Sequence, residues 1–159
     1  MPKLLLEDFD RMFRDHHDLV YRTAYRITGN IADAEDVLQT LFLRLLLRTS
    51  EPDLQVNPKG YFHRASVNLS LDVIRLRKTN VPVDEATPVE NPTIQANEIE
   101  QLLRNALGTL SPKLAEMFVL KHIEGYDNPE IAELLGTSSN SVAVLLSRAR
   151  AQLRKSLVG

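Results

Sequence analysis

From Pro129 to Arg150 the chain reads PEIAELLGTSSNSVAVLLSRAR, two short helical patterns separated by one glycine and a run of small polar residues. This spacing is that of a helix-turn-helix. Ala132 stands where two helices must approach closely, Gly136 where the turn needs a positive φ, and Val142 where the second helix plugs its own core. Any one of these is weak evidence; together they constrain the fold of everything nearby. A second helix built this way enters the major groove of DNA, so the chain must also explain what delivers it there.

The remaining pattern is helical almost throughout. Of the 159 residues 43% are hydrophobic and 25% charged, with 6 glycines, no tryptophan and no cysteine. Disulfides and thiolate metal sites are therefore excluded, and the apolar spacing predicts an all-α protein with leucine-built cores. From Glu7 to Thr28 apolar residues recur at Phe9, Met12, Phe13, Leu19, Val20, Ala24 and Ile27, closed by Gly29. A second helix runs from Ala32 to Arg48 and is expected to bury Val37, Leu38, Leu41, Phe42, Leu45 and Leu46. A third, from Lys59 to Lys78, is expected to turn Phe62, Ala65, Leu69, Val73 and Leu76 inward. Together they form a first domain, residues 1–79.

Residues 80–97 hold three prolines and three acids but no base, and read as a flexible acidic linker. A second helical domain follows over 98–159. Its first helix begins at Glu98 with Ile99, Leu102, Leu103, Ala106 and Leu107 inward, and the next starts at Ser111 and Pro112 and ends at Gly125. Asp127 with Glu130 then opens the helix-turn-helix, and Ser138 caps the last helix. The N-terminal run MPKLLLEDFD and the run LFLRLLLR, broken by Arg44, predict neither a signal peptide nor a membrane span. The expectation is a cytoplasmic protein without stable membrane insertion.

The net charge of −2 is unusual for a domain that holds DNA unaided. Positive charge is local: Arg148, Arg150, Arg154 and Lys155 all follow the last acid of the chain. With Val142, Leu146, Ala149 and Leu153 as the buried seam of the last helix, a rotation of about 100° per residue turns Asn140, Val144, Ser147 and Ala151 outward, flanked by Ala143 and Leu145. Asp15, His16, His17 and Asp18 include ligand-type residues, but neighbours on a helix diverge too far to converge on one ion, and they read as a solvated patch. No catalytic constellation or cofactor-binding motif stands out, so neither catalytic residues nor a metal or other cofactor are expected.

Three segments, ITGNIADAEDVLQTLFLRLL, YFHRASVNLSLDVIRLRK and LSPKLAEMFVLKHIEGYDNPEIAELLGTSSNSVAVLLSRARAQLR, occur in that order. In this combination the chain resembles the extracytoplasmic-function group of bacterial RNA polymerase sigma factors over nearly its whole length. The resemblance implies a region-two-like first domain that binds the polymerase clamp and recognises and melts the minus-ten element. It implies a region-four-like second domain that reads the minus-thirty-five element. Core RNA polymerase and promoter DNA are the implied partners, with an anti-sigma factor as a further one.

By the same resemblance Asp33, Asp36 and Gln39 lie on the polymerase-binding helix, where the family usually carries Glu at the place of Thr40. Asp36 and Gln39 share one polar stripe. The minus-ten strand falls to Lys59, Tyr61, His63, Arg64, Asn68, Arg75, Arg77 and Lys78. Phe62 reads as a core ring; Tyr61, where the family often has Trp, reads equally as core or as a stacking surface. Asn68 and Asp72 match the family's NxxxD pattern and can bond along one face. The minus-thirty-five element falls to Ser139, Asn140, Ser141 and Arg148, with Arg150, Arg154 and Lys155 on the backbone. Related sigma factors commonly carry Lys and Arg where Ala143 and Leu145 stand here. The alternative is a sigma-like interaction protein whose Val144 and Leu145 patch binds an anti-sigma factor or a second copy. An ordinary helix-turn-helix regulator leaves the first-domain motifs unexplained.

Overall fold

The computed structural model describes residues 6–47, 57–80 and 92–158. They form α1 (Leu6–Thr28), α2 (Ile31–Leu47), α3 (Pro58–Asn80), α4 (Pro92–Leu107), α5 (Pro112–Phe118), α6 (Asn128–Leu135) and α7 (Ser139–Val158), and α5 widens into a π-helical turn over Val119–Ile123. Among the described residues there is no strand, and no helix is long and apolar enough to cross a membrane. The protein is all-α. Its contacts divide it into two compact units, Met1–Ser70 and Leu71–Gly159, the division falling inside α3.

In the first unit the turn between α1 and α2 is only two residues long, and its geometry is local. Gly29 takes φ 66° and donates its N–H to the Tyr25 carbonyl at 2.8 Å. Asn30 then accepts the Asp33 N–H on its side-chain oxygen at 3.0 Å, which caps α2. Asn57 does the same for α3, receiving the Gly60 N–H at 3.0 Å just before Pro58. With so short a turn, α1 and α2 must lie antiparallel and share one seam, which Val20, Ala24, Ile27, Ala34, Val37, Leu41 and Leu45 fill.

The centre of this unit is aromatic rather than leucine-built. Phe62 stacks on Phe42 at a centroid distance of 5.3 Å and on His16 at 4.5 Å. Phe42 in turn meets Phe13 edge-on at 5.0 Å and Phe9 at 6.1 Å. His17 stacks on Phe13 at 5.0 Å. Of the four residues read as a solvated patch, Asp15 and Asp18 are exposed, whereas the two histidines are half-buried: each lies against a ring, and each Nδ1 sits near the carbonyl four residues back, at 3.1 Å for His16 and 2.9 Å for His17. Offset and edge-on aromatic pairs of this kind contribute beyond their area.

Several faces are rotated from the sequence expectation. On α3, Leu76 is 64% exposed and Ala65, Leu69 and Val73 are half-buried, while Ser66, Val67, Ser70, Leu71 and Ile74 line the interior. The Ser66 hydroxyl donates to the Phe62 carbonyl at 2.8 Å and also reaches that of His63 at 3.0 Å. Its polarity is satisfied within its own helix, and its small size lets neighbours approach. Leu46 on α2, Phe13 on α1, and Ile99 and Leu102 on α4 are likewise exposed rather than core. Helix α4 starts at Pro92, inside the stretch read as linker. A proline suits a first helical position, where its missing N–H would have had no helical partner.

The second unit is closed by Ala106, Leu107, Leu110, Leu114, Ala115, Met117, Val119, Leu120, Ile131, Val142, Leu146, Ala149 and Leu153. Ser111 caps α5, accepting the Leu114 N–H at 3.4 Å. The wide turn after Phe118 keeps Val119 and Leu120 buried and leaves His122 exposed. Because Phe62 touches rings from both other helices of its unit, Phe62→Ala is expected to destabilise that unit by about 3–5 kcal/mol. The midpoint of urea denaturation measures it, and an unchanged midpoint would refute the aromatic centre.

Candidate nucleic-acid interface

The helix-turn-helix is fixed by four local devices and one buried stripe. Asp127 accepts the Glu130 N–H at 2.9 Å while the Glu130 carboxylate accepts the Asp127 N–H at 2.9 Å, a complete capping box at the start of α6. Gly136 closes α6 with φ 69° and ψ 38°. A Cβ there would meet nothing within 4 Å, so backbone conformation rather than space requires glycine. The Thr137 N–H returns to the Ala132 carbonyl at 2.9 Å, and Ser138 accepts the Ser141 N–H at 3.1 Å to start α7. Finally Val142, Leu146, Ala149 and Leu153 bury one stripe of α7.

Once that stripe is fixed, the opposite face follows. Ser139, Asn140, Ser141, Ala143, Val144, Ser147, Arg148, Arg150, Ala151, Arg154 and Lys155 are all exposed, and Leu145 is half-buried. Helix α7 contains four bases and no acid. Every residue assigned to the upstream element from the sequence thus lies at the surface of one helix. Leu145 does not join Val144 in a fully open apolar patch. Arg150 lies with Nη1 3.4 Å from Nε2 of His122, an arrangement in which the guanidinium donates to a neutral imidazole. Burial first, then the charges of Arg150 and Lys121, hold His122 below the ordinary imidazole pKa.

The first unit's candidates are less uniform. On α2, Asp36 and Gln39 are exposed and Asp33 is half-buried. The same helix carries Leu43 and Leu47, 56% and 69% exposed, one and two turns beyond Gln39. Sequence reasoning did not place these leucines at the site; an all-round apolar second half of α2 was the available signal. On α3, Lys59 is exposed, Arg64 and Asn68 are half-buried, and Tyr61 is half-buried with its ring edge-on to Phe62 at 5.3 Å. His63, only 6% exposed, is turned into the interior rather than set beside Arg64.

The distal end of α3 belongs to the second unit. Arg75 donates to the Leu110 carbonyl at 3.3 Å and pairs with Asp72 at 3.6 Å. Arg77 is half-buried; burial first and the Arg104 charge second lower its pKa. Neither arginine is the open, solvated terminus that a basic run suggests. The side chain of Lys78 lies outside those described. Among the described residues no His/Asp/Glu group is arranged to hold a metal ion.

Comparison with known proteins matches both halves. Residues 12–80 match the Sigma-70 region 2 family and residues 100–153 the Sigma-70, region 4 family. The RNA polymerase sigma-E factor of Streptomyces coelicolor is 32% identical over 154 residues, covering 95% of this chain and 86% of its own. The ECF RNA polymerase sigma factor SigE of Mycolicibacterium smegmatis is 34% identical over 158 residues, 94% of this chain, which spans 61% of that relative's length. SigW of Bacillus subtilis is 27% identical over 158 residues. Among solved structures, the sigma factor RpoE of Bartonella quintana, in complex with the anti-sigma factor NepR, aligns over 96% of this chain and 98% of its own with TM-score 0.53 at 19% identity, a likeness of fold.

The His122 and Arg150 pair makes stability pH-dependent in a definite sense. Because folding lowers the His122 pKa, the unfolded chain binds more protons just below the ordinary value of 6.5, and stability falls as pH drops through that value toward the folded one. In His122→Gln, which can still accept from Arg150, this contribution is expected to vanish. Urea midpoints between about pH 5 and 7.5 measure the difference, and identical pH profiles would remove His122 as the source.

Proposed function

The chain belongs to the extracytoplasmic-function sigma factors, which direct promoter-specific transcription initiation by RNA polymerase, and we propose how its residues divide that work. The reading rests on one observation above others: region 2 and region 4 stand on one chain in that order, and the second ends in an acid-free helix whose outward residues are all exposed. The protein acts as a dissociable polymerase subunit in the cytoplasm and not as an enzyme.

In this reading α2 meets the polymerase clamp through Asp33, Asp36 and Gln39. Leu43 and Leu47 continue the same exposed stripe and supply the apolar area that a purely polar contact lacks. A mixed stripe of this kind combines charge steering with burial. The minus-ten strand is taken by Lys59, Tyr61, Arg64 and Asn68, Tyr61 offering a ring already braced by Phe62. His63, inside the unit, acts by holding that surface in place. Arg75, Arg77 and Lys78 complete the basic end of α3 and take the downstream backbone once Arg75 exchanges its bonds to Leu110 and Asp72 for phosphate.

The upstream element falls to α7. Asn140, Ser139, Ser141 and Arg148 face base edges, and Arg150, Arg154 and Lys155 face phosphates. Without basic residues at 143 and 145, polymerase supplies much of the electrostatic hold, which suits a chain of net charge −2. An anti-sigma factor is included as a regulator, because RpoE, similar in fold, was solved with one bound.

Two outcomes follow. Asp36→Arg is expected to weaken binding to core RNA polymerase roughly tenfold through charge reversal, measured by fluorescence titration of labelled protein; unchanged affinity would remove Asp36 from the contact. Restoring Ala143→Lys and Leu145→Arg is expected to steepen the dependence of promoter binding on log salt by roughly two units, and an unaltered slope would place these positions away from phosphate.

A further inference from the structure

The outward face of α7 carries an apolar group between the two positions where the family's cations are missing, and among the described residues nothing buries it. Val144 is 52% exposed, and Ala143 beside it is exposed as well. Asn140, Val144 and Arg148 follow one another at intervals of four residues, which is about 6 Å along a helix axis, or roughly two base-pair steps. They occupy the first half of the second helix of the motif, the part that meets base edges in this mode of docking. The surrounding charge suits a polyanion, since α7 has four bases and no acid.

The major groove displays donors, acceptors and a single kind of apolar group, the 5-methyl of thymine. A valine among base-reading side chains has no hydrogen bond to offer, and the thymine methyl is its one complementary partner there. We propose that Val144, with Ala143, is a specificity-determining residue that reads thymine methyl groups within the upstream promoter element. Asn140 on one side fits adenine and Arg148 on the other fits guanine. The inference rests on the promoter-reading function and deepens it. It explains how a helix stripped of two phosphate contacts retains sequence preference: discrimination comes from desolvated methyl contacts, which salt does not screen.

The test uses the full-length protein bound to core RNA polymerase. Duplexes randomised over the upstream element are selected for retention, and each thymine of the selected sequence is then replaced singly by deoxyuridine, which deletes only the methyl. At one or two positions the replacement is expected to weaken binding about fourfold. Val144→Ala, a surface change that leaves the fold intact, is expected to weaken binding to the thymine duplex and to abolish the difference between thymine and deoxyuridine. If an element is selected but no deoxyuridine replacement matters, or if Val144→Ala keeps the full difference, the methyl reading is overturned while promoter recognition stands. If no upstream element is selected at all, promoter reading by α7 fails and the inference with it.

Discussion

Four side chains, Val142, Leu146, Ala149 and Leu153, fix one stripe of α7 in the core of the second unit. A helix has a single rotational freedom about its axis, and burying one stripe removes it. The identity of every residue that faces outward is then a consequence of packing. The Gly136 turn and the Ser138 cap set where α7 begins, and the capping box on α6 sets the helix it rests against. A polar or enlarged residue in the stripe would not merely destabilise the unit. It would rotate the reading face away from whatever it reads.

The first unit solves a different problem with different materials. Its core joins rings from all three helices, with Phe62 touching Phe42 and His16. Rings packed edge-on and offset hold their helices in defined orientations, so the outer surface can carry exposed leucines on α2 and a half-buried Tyr61 on α3 without loss of order. Apolar groups left at the surface in this way become contacts for polymerase and for an unstacked base in the reading proposed here. Sparse positive charge fits the same division of labour. A protein that binds DNA as part of a polymerase does not need the basic surface that an independent binder needs.

Much of this was legible in the residues, and the reasons are physical. The helix-turn-helix could be read because each of its signals has a local steric or hydrogen-bonding cause: a left-handed φ at Gly136, reciprocal bonds at Asp127 and Glu130, and a regular apolar seam on α7. The face of α3 could not be read in the same way. Ser66 and Ser70 look solvent-facing by type, yet both are buried: the Ser66 hydroxyl bonds its own helix, while Ser70, whose hydroxyl has no partner among the described residues, is simply small enough to pack inside. His16 and His17 lie against rings, His17 keeping part of its surface in solvent, because their partners are set by packing, which no local pattern encodes. Pro92 ends one pattern and begins another, and only the backbone decides which. On the functional side, the outward residues of α7 follow from periodicity alone, whereas the roles on α2 and α3 were drawn from the resemblance, and the exposed Leu43 and Leu47 escaped it.

The central claim is that this chain converts core RNA polymerase into a promoter-specific enzyme. The direct measurement is run-off transcription with the purified protein, core polymerase from the same cell and a duplex bearing a selected promoter, with permanganate reactivity of thymines reporting strand opening. The account predicts a transcript of one defined length and reactive thymines near the start site only when the protein is present. A protein that binds core polymerase yet yields neither transcript nor opened thymines on any selected promoter would contradict it.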